Sequence, residues 1–390
     1  MKLSREEKLM LNGFYGEACK KAIKLVLAVA DSYGYGKLVR IRSAHTSGVS
    51  YKNIGDAGIE FLEDLVKGGG HVRVKTTMNP CGFDLDKPWL FGVDEHFFMK
   101  QMKIINLLER MGVKVTLTCT PYYFDNDPRR GSHLAWAESS AAIYANSVVG
   151  AYTNRESGPS ALAAAITGRA ALTREHTDDR RPEVTIKAPL KLSDYSDWSI
   201  LGYVVGIISP DEIPLVKIKK MVYSKDKLKH FSAGFGTTSS MALFWLNHDS
   251  DVPKTIDVTP AEIKAVKSRW ALTRKPTLIF VGCPHCSVQE IKAIARRLQG
   301  KRVRRDVKLL VSTARSVYER ASRLGLIDVI ERAGAHVIKD TCLVVSPIQL
   351  SKSDVLLTDS AKTAYYIEAM TGSMVAIGGR MQCLEEALEP

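Results

Sequence analysis

The sequence contains no run of about twenty apolar residues, so no helix is expected to span a bilayer. Internal repeats and low-complexity tracts are also missing, and a solenoid or repeat array is therefore not expected. A disulfide framework accounts poorly for the cysteines. There are seven, an odd number, scattered over 390 residues, whereas such frameworks belong to short secreted chains. The second Cys-x-x-Cys pair that a zinc ribbon needs does not occur. The glycine–hydroxyl segment GFGTTSS (234–240), read as a turn, lacks the lysine and the spacing of a P-loop. The opening residues MKLSREEKLML are too charged for the apolar core of a secretory signal, so residence in the cytoplasm is expected.

What is present reads as an ordinary globular protein, 45% hydrophobic and 25% charged. Its length suits two or three domains. The net charge of +13 fits an anionic substrate, an acidic partner subunit or a heat-adapted surface. Basic density peaks at Lys301, Arg302, Arg304 and Arg305, but Lys and Arg are otherwise dispersed, with no aromatic-interleaved patch. Nucleic-acid binding is not expected.

Strand-like and helix-like segments alternate, which favours an α/β fold of mostly parallel sheets flanked by helices. A helix over 17–33 precedes a strand from Leu38. A helix near 58–67, the strand HVRVKTT, a helix near 95–110 and the strand VKVTLTC follow. The middle is less regular: a small-residue helix at 134–147, an exposed charged loop at 175–183, and an apolar segment at 201–208 leading to a β-rich region. Thr259, Pro260 and Glu262 read as a helix start. After Trp270 comes a regular series: TLIFVG, VKLLVS, AHVIKD, VLLTDS and MVAIGG, with helices between. Two units are expected, 1–258 (possibly two subdomains) and a Rossmann-like 259–390, with an active-site cleft between domains.

Cys119, Cys283 and Cys342 each end such a strand, in VKVTLTC, TLIFVGC and HVIKDTC. Ligands gather at the carboxyl ends of strands in open α/β sheets, so three thiols at such ends can meet. Three thiolates about one point suit iron–sulfur or zinc. A rival reading takes Cys283-Pro-His-Cys286 as the redox pair of a thiol–disulfide oxidoreductase, with the first thiol activated by a following helix.

Other strand ends carry polar groups too. SAHTSGVSY supplies His45 and Ser47, KTTMNP supplies Thr76, Thr77 and Asn79, and DSAK supplies Ser360 and Lys362. Such groups orient oxygen-rich substrates and move protons. In ANSVVGAYTNRESGPSALAAA, Asn154 and Arg155 sit just before a helix expected to start at Ser160. There the guanidinium fork and the free N–H groups favour carboxylate or phosphate.

Together SAHTSGVSY, KTTMNPCGFD, TCTPYY, ANSVVGAYTNRESGPSALAAAITGR, GTTSSMALF, GCPH, DTCLVVSP and DSAKTAYY resemble the aconitase X family over nearly the whole chain. The resemblance implies an aconitase-like fold and a hydro-lyase with an iron–sulfur centre, most plainly a 4Fe-4S cluster. The cysteines that match its three ligands are Cys119, Cys283 and Cys342, and Cys286 is left a bystander. It also implies catalytic roles for His45 (proton donor), Asn79, Asn146 and Ser147. Substrate contacts would come from Ser47, Thr76, Thr77, Asn154, Arg155, Ser360 and Lys362. Family members dehydrate 5-phosphomevalonate, in a modified mevalonate pathway, or cis-3-hydroxyproline, and the basic balance fits the doubly anionic phosphate better. Fused members continue into a small swivelling domain, so a separate small subunit is the expected partner, and the proton-abstracting base is expected there.

Overall fold

The structure is a computed structural model that describes residues 3–188, 191–219 and 223–390. Among these residues fourteen strands form four sheets, and every strand pair is parallel except one. The exception answers an early misreading. LVRIRS, expected as one strand, is two: β1 (Leu38–Arg40) pairs antiparallel with β5 (Arg169–Ala171), and β2 (Ser43–Thr46) enters another sheet.

That sheet has the order β3-β2-β4, with β3 Lys75–Met78 and β4 Leu134–Trp136. All four residues of β2 are buried, as the central strand of a covered parallel sheet requires. Helices Glu17–Ser32, Glu95–Arg110 and Gly158–Thr167 lie where periodicity put them. The last is capped at Ser157, whose hydroxyl accepts from the Ser160 N–H at 3.1 Å, and Pro159 stands in its first turn.

VKVTLTC is not a regular strand. It runs beside β3 in extended form: Lys114 N–H donates to Thr76 O at 2.9 Å and Thr118 N–H to Met78 O at 3.1 Å. Between them the Thr116 hydroxyl takes over both polar groups of Met78, and Leu117 adopts a left-handed φ of 45°. Threonine's ability to stand in for a backbone partner broke the ladder that the apolar alternation implied. The segment 134–147 also departs from expectation. It opens as β4, and its helix covers only Ser139–Tyr144 before widening into a π turn over Ala145–Val149.

The third sheet, β8-β7-β6-β9, comprises β6 Val184–Ala188, β7 Pro214–Ile218, β8 Trp245–Leu246 and β9 Thr255–Asp257. The apolar segment 201–208 is the end of a helix, Tyr195–Ile208. The region read as β-rich holds a second helix, Lys225–Thr238, between β7 and β8. GFGTT is therefore helix rather than turn. A Cβ on Gly234 would lie 2.0 Å from Ser199 O, so glycine here lets the two helices pack backbone to backbone.

The C-terminal series follows expectation strand for strand: β10 Leu278–Cys286, β11 Lys308–Thr313, β12 His336–Ile338, β13 Val355–Thr358 and β14 Met374–Ile377. Their order, β12-β11-β10-β13-β14, reverses direction at β10. Such a switch point opens a crevice at the carboxyl ends of the strands. The expected helix start before it is present: Thr259 and Glu262 cap Pro260–Arg269 reciprocally. Among the described residues no helix is long and apolar enough to cross a membrane.

Candidate active site

Cys119, Cys283 and Cys342 line one cavity of about 130 Å³, together with Asn79, Glu138, Ser139, Ser140, Lys362 and Tyr366. Three different segments deliver the thiols, and each turns through a left-handed residue just before its cysteine: Leu117 (φ 45°), Gly282 (φ 112°) and Asp340 (φ 67°). At Gly282 no other residue fits, since a Cβ would lie 2.2 Å from Ser312 O. Asp340 is held by its neighbours: its carbonyl accepts from Cys81 N–H at 2.8 Å, and its carboxylate grips Arg315 Nε at 2.9 Å. Strained backbone that neighbours over-determine is a frequent mark of functional sites.

Cys119 and Cys283 are buried and Cys342 is half-buried. Burial lifts Cys119 well above the ordinary thiol range, with the Glu138 charge adding to it. Burial likewise pushes Cys342 up to about 12, with Cys283 contributing. Cys119 and Cys342 ionise together only beside a strong cationic centre. Among the described residues no three His, Cys, Asp or Glu side chains are grouped to hold a single metal ion. Three thiols on one cavity are a donor set of the kind that suits an iron–sulfur centre.

Opposite the sulfurs stands a pair that the sequence reading half missed. Lys362 Nζ donates to Glu138 Oε1 at 2.7 Å, and Asn79 Nδ2 donates to Glu138 Oε2 at 2.9 Å. Burial would raise the Glu138 pKa, but the Lys362 ammonium beside it outweighs that and holds it at about 2. Burial would lower Lys362, and the carboxylate reverses that shift upward. Asn79 Oδ1 is buried and faces the His45 ring, whose Nε2 is likewise without another partner among the described residues. Glu138 was overlooked because 134–147 was read as one helix. As the residue two beyond β4, it occupies the kind of strand end that flagged the cysteines.

A wider lobe of about 730 Å³ shares Glu138 and Ser139 with the sulfur cavity and is lined by Ser47, Asn154, Arg155, Ser239 and Ser240. Arg155 bonds the carbonyls of Ser239 and, at 2.7 Å, Gly236, so part of its fork is already used.

Other expected site residues stand back from both lobes. His45 is fully buried, with Nδ1 2.8 Å from the Thr77 hydroxyl opposite it in the β2–β3 register. Burial lowers its pKa to about 4, against the pull of Glu138 and Asn79. It is therefore neutral near pH 7, and it stands behind the cavity wall beside Asn79 and the Thr118 backbone. Thr76 bonds Val74 O, and Thr77 is engaged by His45 and Asn126. Asn146 spends its amide on the carbonyls of Thr153 and Ala242, while Ser147 accepts from Phe244 N–H. Both line a different cleft with Arg180. Ser360 is buried and caps the helix Ala361–Thr371. Their hydroxyls and amides are consumed by turns and caps, which is why polar strand ends overstate a site.

The redox reading of Cys283 and Cys286 loses its geometric basis. The next helix starts at Val288, capped by Ser287, so Cys283 does not sit at a helix N-terminus. Cys286 is fully buried, lies outside the cavity, and is pushed up to about 12 by burial.

A parallel α/β fold with three converging thiols at a crevice between sheets defines an aconitase-type protein. Family models for the first, second and third domains of aconitase X match residues 1–179, 182–268 and 276–389. The chain belongs to the aconitase X family. It is 40% identical to the phosphomevalonate dehydratase large subunit of Thermococcus kodakarensis, over 95% of each chain. It is also 40% identical to that of Methanocaldococcus jannaschii, over 97% of this chain and 98% of the other. The cis-3-hydroxy-L-proline dehydratase of Hypocrea jecorina is 31% identical over the whole chain and 69% of its own length. The crystal structure of Thermococcus kodakaraensis aconitase X in its holo-form superposes with a TM-score of 0.91 at 39% identity, covering 99% of this chain and all of that one.

Proposed function

We propose that the chain is the large subunit of a phosphomevalonate dehydratase, a hydro-lyase that removes water from (R)-5-phosphomevalonate to give trans-anhydromevalonate 5-phosphate. The observation that carries this is the meeting of Cys119, Cys283 and Cys342 in one cavity with Asn79, Glu138 and Lys362. The relatives named large subunits of that enzyme, matched over nearly their full length, support the substrate.

On this reading the three cysteines hold an iron–sulfur cluster, 4Fe-4S by preference, which supplies a Lewis acid for a poor leaving group when bound. The chain's own residues do the rest. Lys362, kept protonated by Glu138, presents an ammonium toward the substrate carboxylate. Asn79, whose amide is fixed by Glu138, forms the polar wall beside the substrate hydroxyl. Ser139 and Ser140 line the same wall. The outer lobe, with Ser47, Asn154 and Arg155, takes the phosphate end. His45 backs Asn79 as a neutral group. The active-site cleft on this reading lies between residues 1–258 and 259–390. A small subunit, implied by the relatives' naming as large subunits, covers it and carries the proton-abstracting base.

Anaerobic co-expression with that partner, followed by dehydration assays on (R)-5-phosphomevalonate and cis-3-hydroxy-L-proline, tests the proposal. Turnover of phosphomevalonate is expected. Turnover of the hydroxyproline alone would transfer the chain to the other activity of the family.

A further inference from the structure

His285 lies on the segment of Cys283 and contacts those of Cys119 and Cys342, yet it does not line the cavity. Its backbone N–H donates to Cys119 Sγ at 3.4 Å. Its ring spans two segments of different sheets: Nδ1 lies 3.0 Å from Thr118 Oγ1, and Nε2 lies 3.0 Å from Thr341 O. A carbonyl only accepts, so Nε2 carries the ring hydrogen and Nδ1 is left to accept from the Thr118 hydroxyl. Thr118 Oγ1 in turn accepts from the Thr120 N–H at 3.1 Å, which uses its remaining capacity consistently. From behind, Lys229 Nζ donates to His285 O at 2.9 Å. Lys229 is itself paired with Glu290, whose second oxygen receives Arg380 at 2.8 Å.

We propose that His285 is a positioning residue that sets the spacing of Cys119, Cys283 and Cys342 by tying residues 118, 285 and 341 through one imidazole of fixed tautomer. The inference rests on reading the cavity as a cluster site. A core filler of similar size would pack as well, but no apolar side chain offers a donor and an acceptor at opposite edges. Without the ring, the buried Thr341 carbonyl loses a donor and the Thr118 hydroxyl loses an acceptor. The segments that carry Cys119 and Cys342 then lose their direct side-chain link and are held only by their separate bonds to Met78, Cys81 and Ser312. Partners one layer behind metal ligands typically govern metal affinity by about 10–100-fold.

The experiment compares wild type, His285→Leu, His285→Gln and Thr118→Val, each full chain co-produced with its partner and reconstituted anaerobically with ferrous iron and sulfide. Readouts are iron and sulfide per chain, the electron paramagnetic resonance spectrum of the loaded protein, and the melting curve before loading. His285→Leu is expected to lose at least about 10-fold in iron affinity. His285→Gln, which keeps an N–H for Thr341 O, restores most of the loading and the native spectrum. Thr118→Val alters the spectrum with the fold intact. A folded His285→Leu with full iron and an unchanged spectrum overturns the inference. If His285→Leu does not fold, an unchanged Thr118→Val spectrum overturns it instead. A wild-type chain that takes up no iron and sulfide sinks the cluster reading, and the inference with it.

Discussion

Lys362 and Glu138 meet at 2.7 Å, joining the helix after β13 to the turn after β4 in the wall of the sulfur cavity. Both side chains are largely buried, so neither charge can be left alone cheaply. Removing one partner strands the other and is expected to cost about 3 kcal/mol in Glu138→Gln or Lys362→Met, with the double variant less destabilised than the sum. Urea unfolding of the four proteins measures this. Additive costs would mean the pair is not coupled. Because Glu138 is held at about 2 from an ordinary 4.5, its share of stability is full above pH 4.5 and drains away toward pH 2.

Three buried imidazoles set a second pH window. Burial lowers His45 and His285 to about 4 and His176 to about 3, all from 6.5. The folded chain keeps them neutral while the unfolded chain takes up protons near pH 6.5. Stability is therefore complete above pH 6.5 and falls as the pH drops toward 4. Each group adds a slope of up to roughly 1.4 kcal/mol per pH unit. Denaturant midpoints at pH 7.5, 6 and 5 read the trend, and His176→Asn should make it shallower by one proton. A midpoint that does not move over this range would refute the neutral assignments.

Gly282 supplies the turn into Cys283, and alanine there meets both a left-handed φ of 112° and Ser312 O at 2.2 Å. Gly282→Ala is expected to lose at least about 2 kcal/mol of stability and, because the thiol moves with the backbone, most of its iron-binding capacity. Melting temperature and iron per folded chain separate the two losses. Undiminished iron binding in the folded fraction would show that the turn serves only the fold.

These residues also explain what could be read in the sequence. The β10–β14 series was legible because each buried parallel strand is a short apolar run punctuated by polar turns. The cysteines at its strand ends point to a crevice from the sequence alone. VKVTLTC misled on strand type but not on position. Leu117 breaks the ladder, yet the same left-handed turn aims Cys119 at the cavity. Glu138 and His285 left no comparable signal. Both act through partners more than a hundred residues away, Lys362 for Glu138 and Thr118 for His285, and a linear pattern holds no record of those distances. Asn146 and Ser147 line a separate cleft, and their polar atoms close a π turn and a neighbouring loop.

The cysteines themselves give the sharpest division between ligand and bystander. Cys119, Cys283 and Cys342 share the cavity, whereas Cys286, three residues beyond Cys283, packs in the core with Ile291 and Val311. Serine at any of the first three removes a thiolate from the proposed cluster. It should abolish the brown colour of the reconstituted protein and lower activity by more than about 100-fold. Cys286→Ser buries an unpartnered hydroxyl, at about 1–3 kcal/mol, so it should melt earlier yet keep its iron, its colour and its turnover. Visible absorbance and iron content of the four variants, normalised to folded protein, read the outcome. Colour lost in Cys286→Ser and kept in Cys119→Ser would move the metal to the Cys283–Cys286 pair and leave the shared cavity without its proposed occupant.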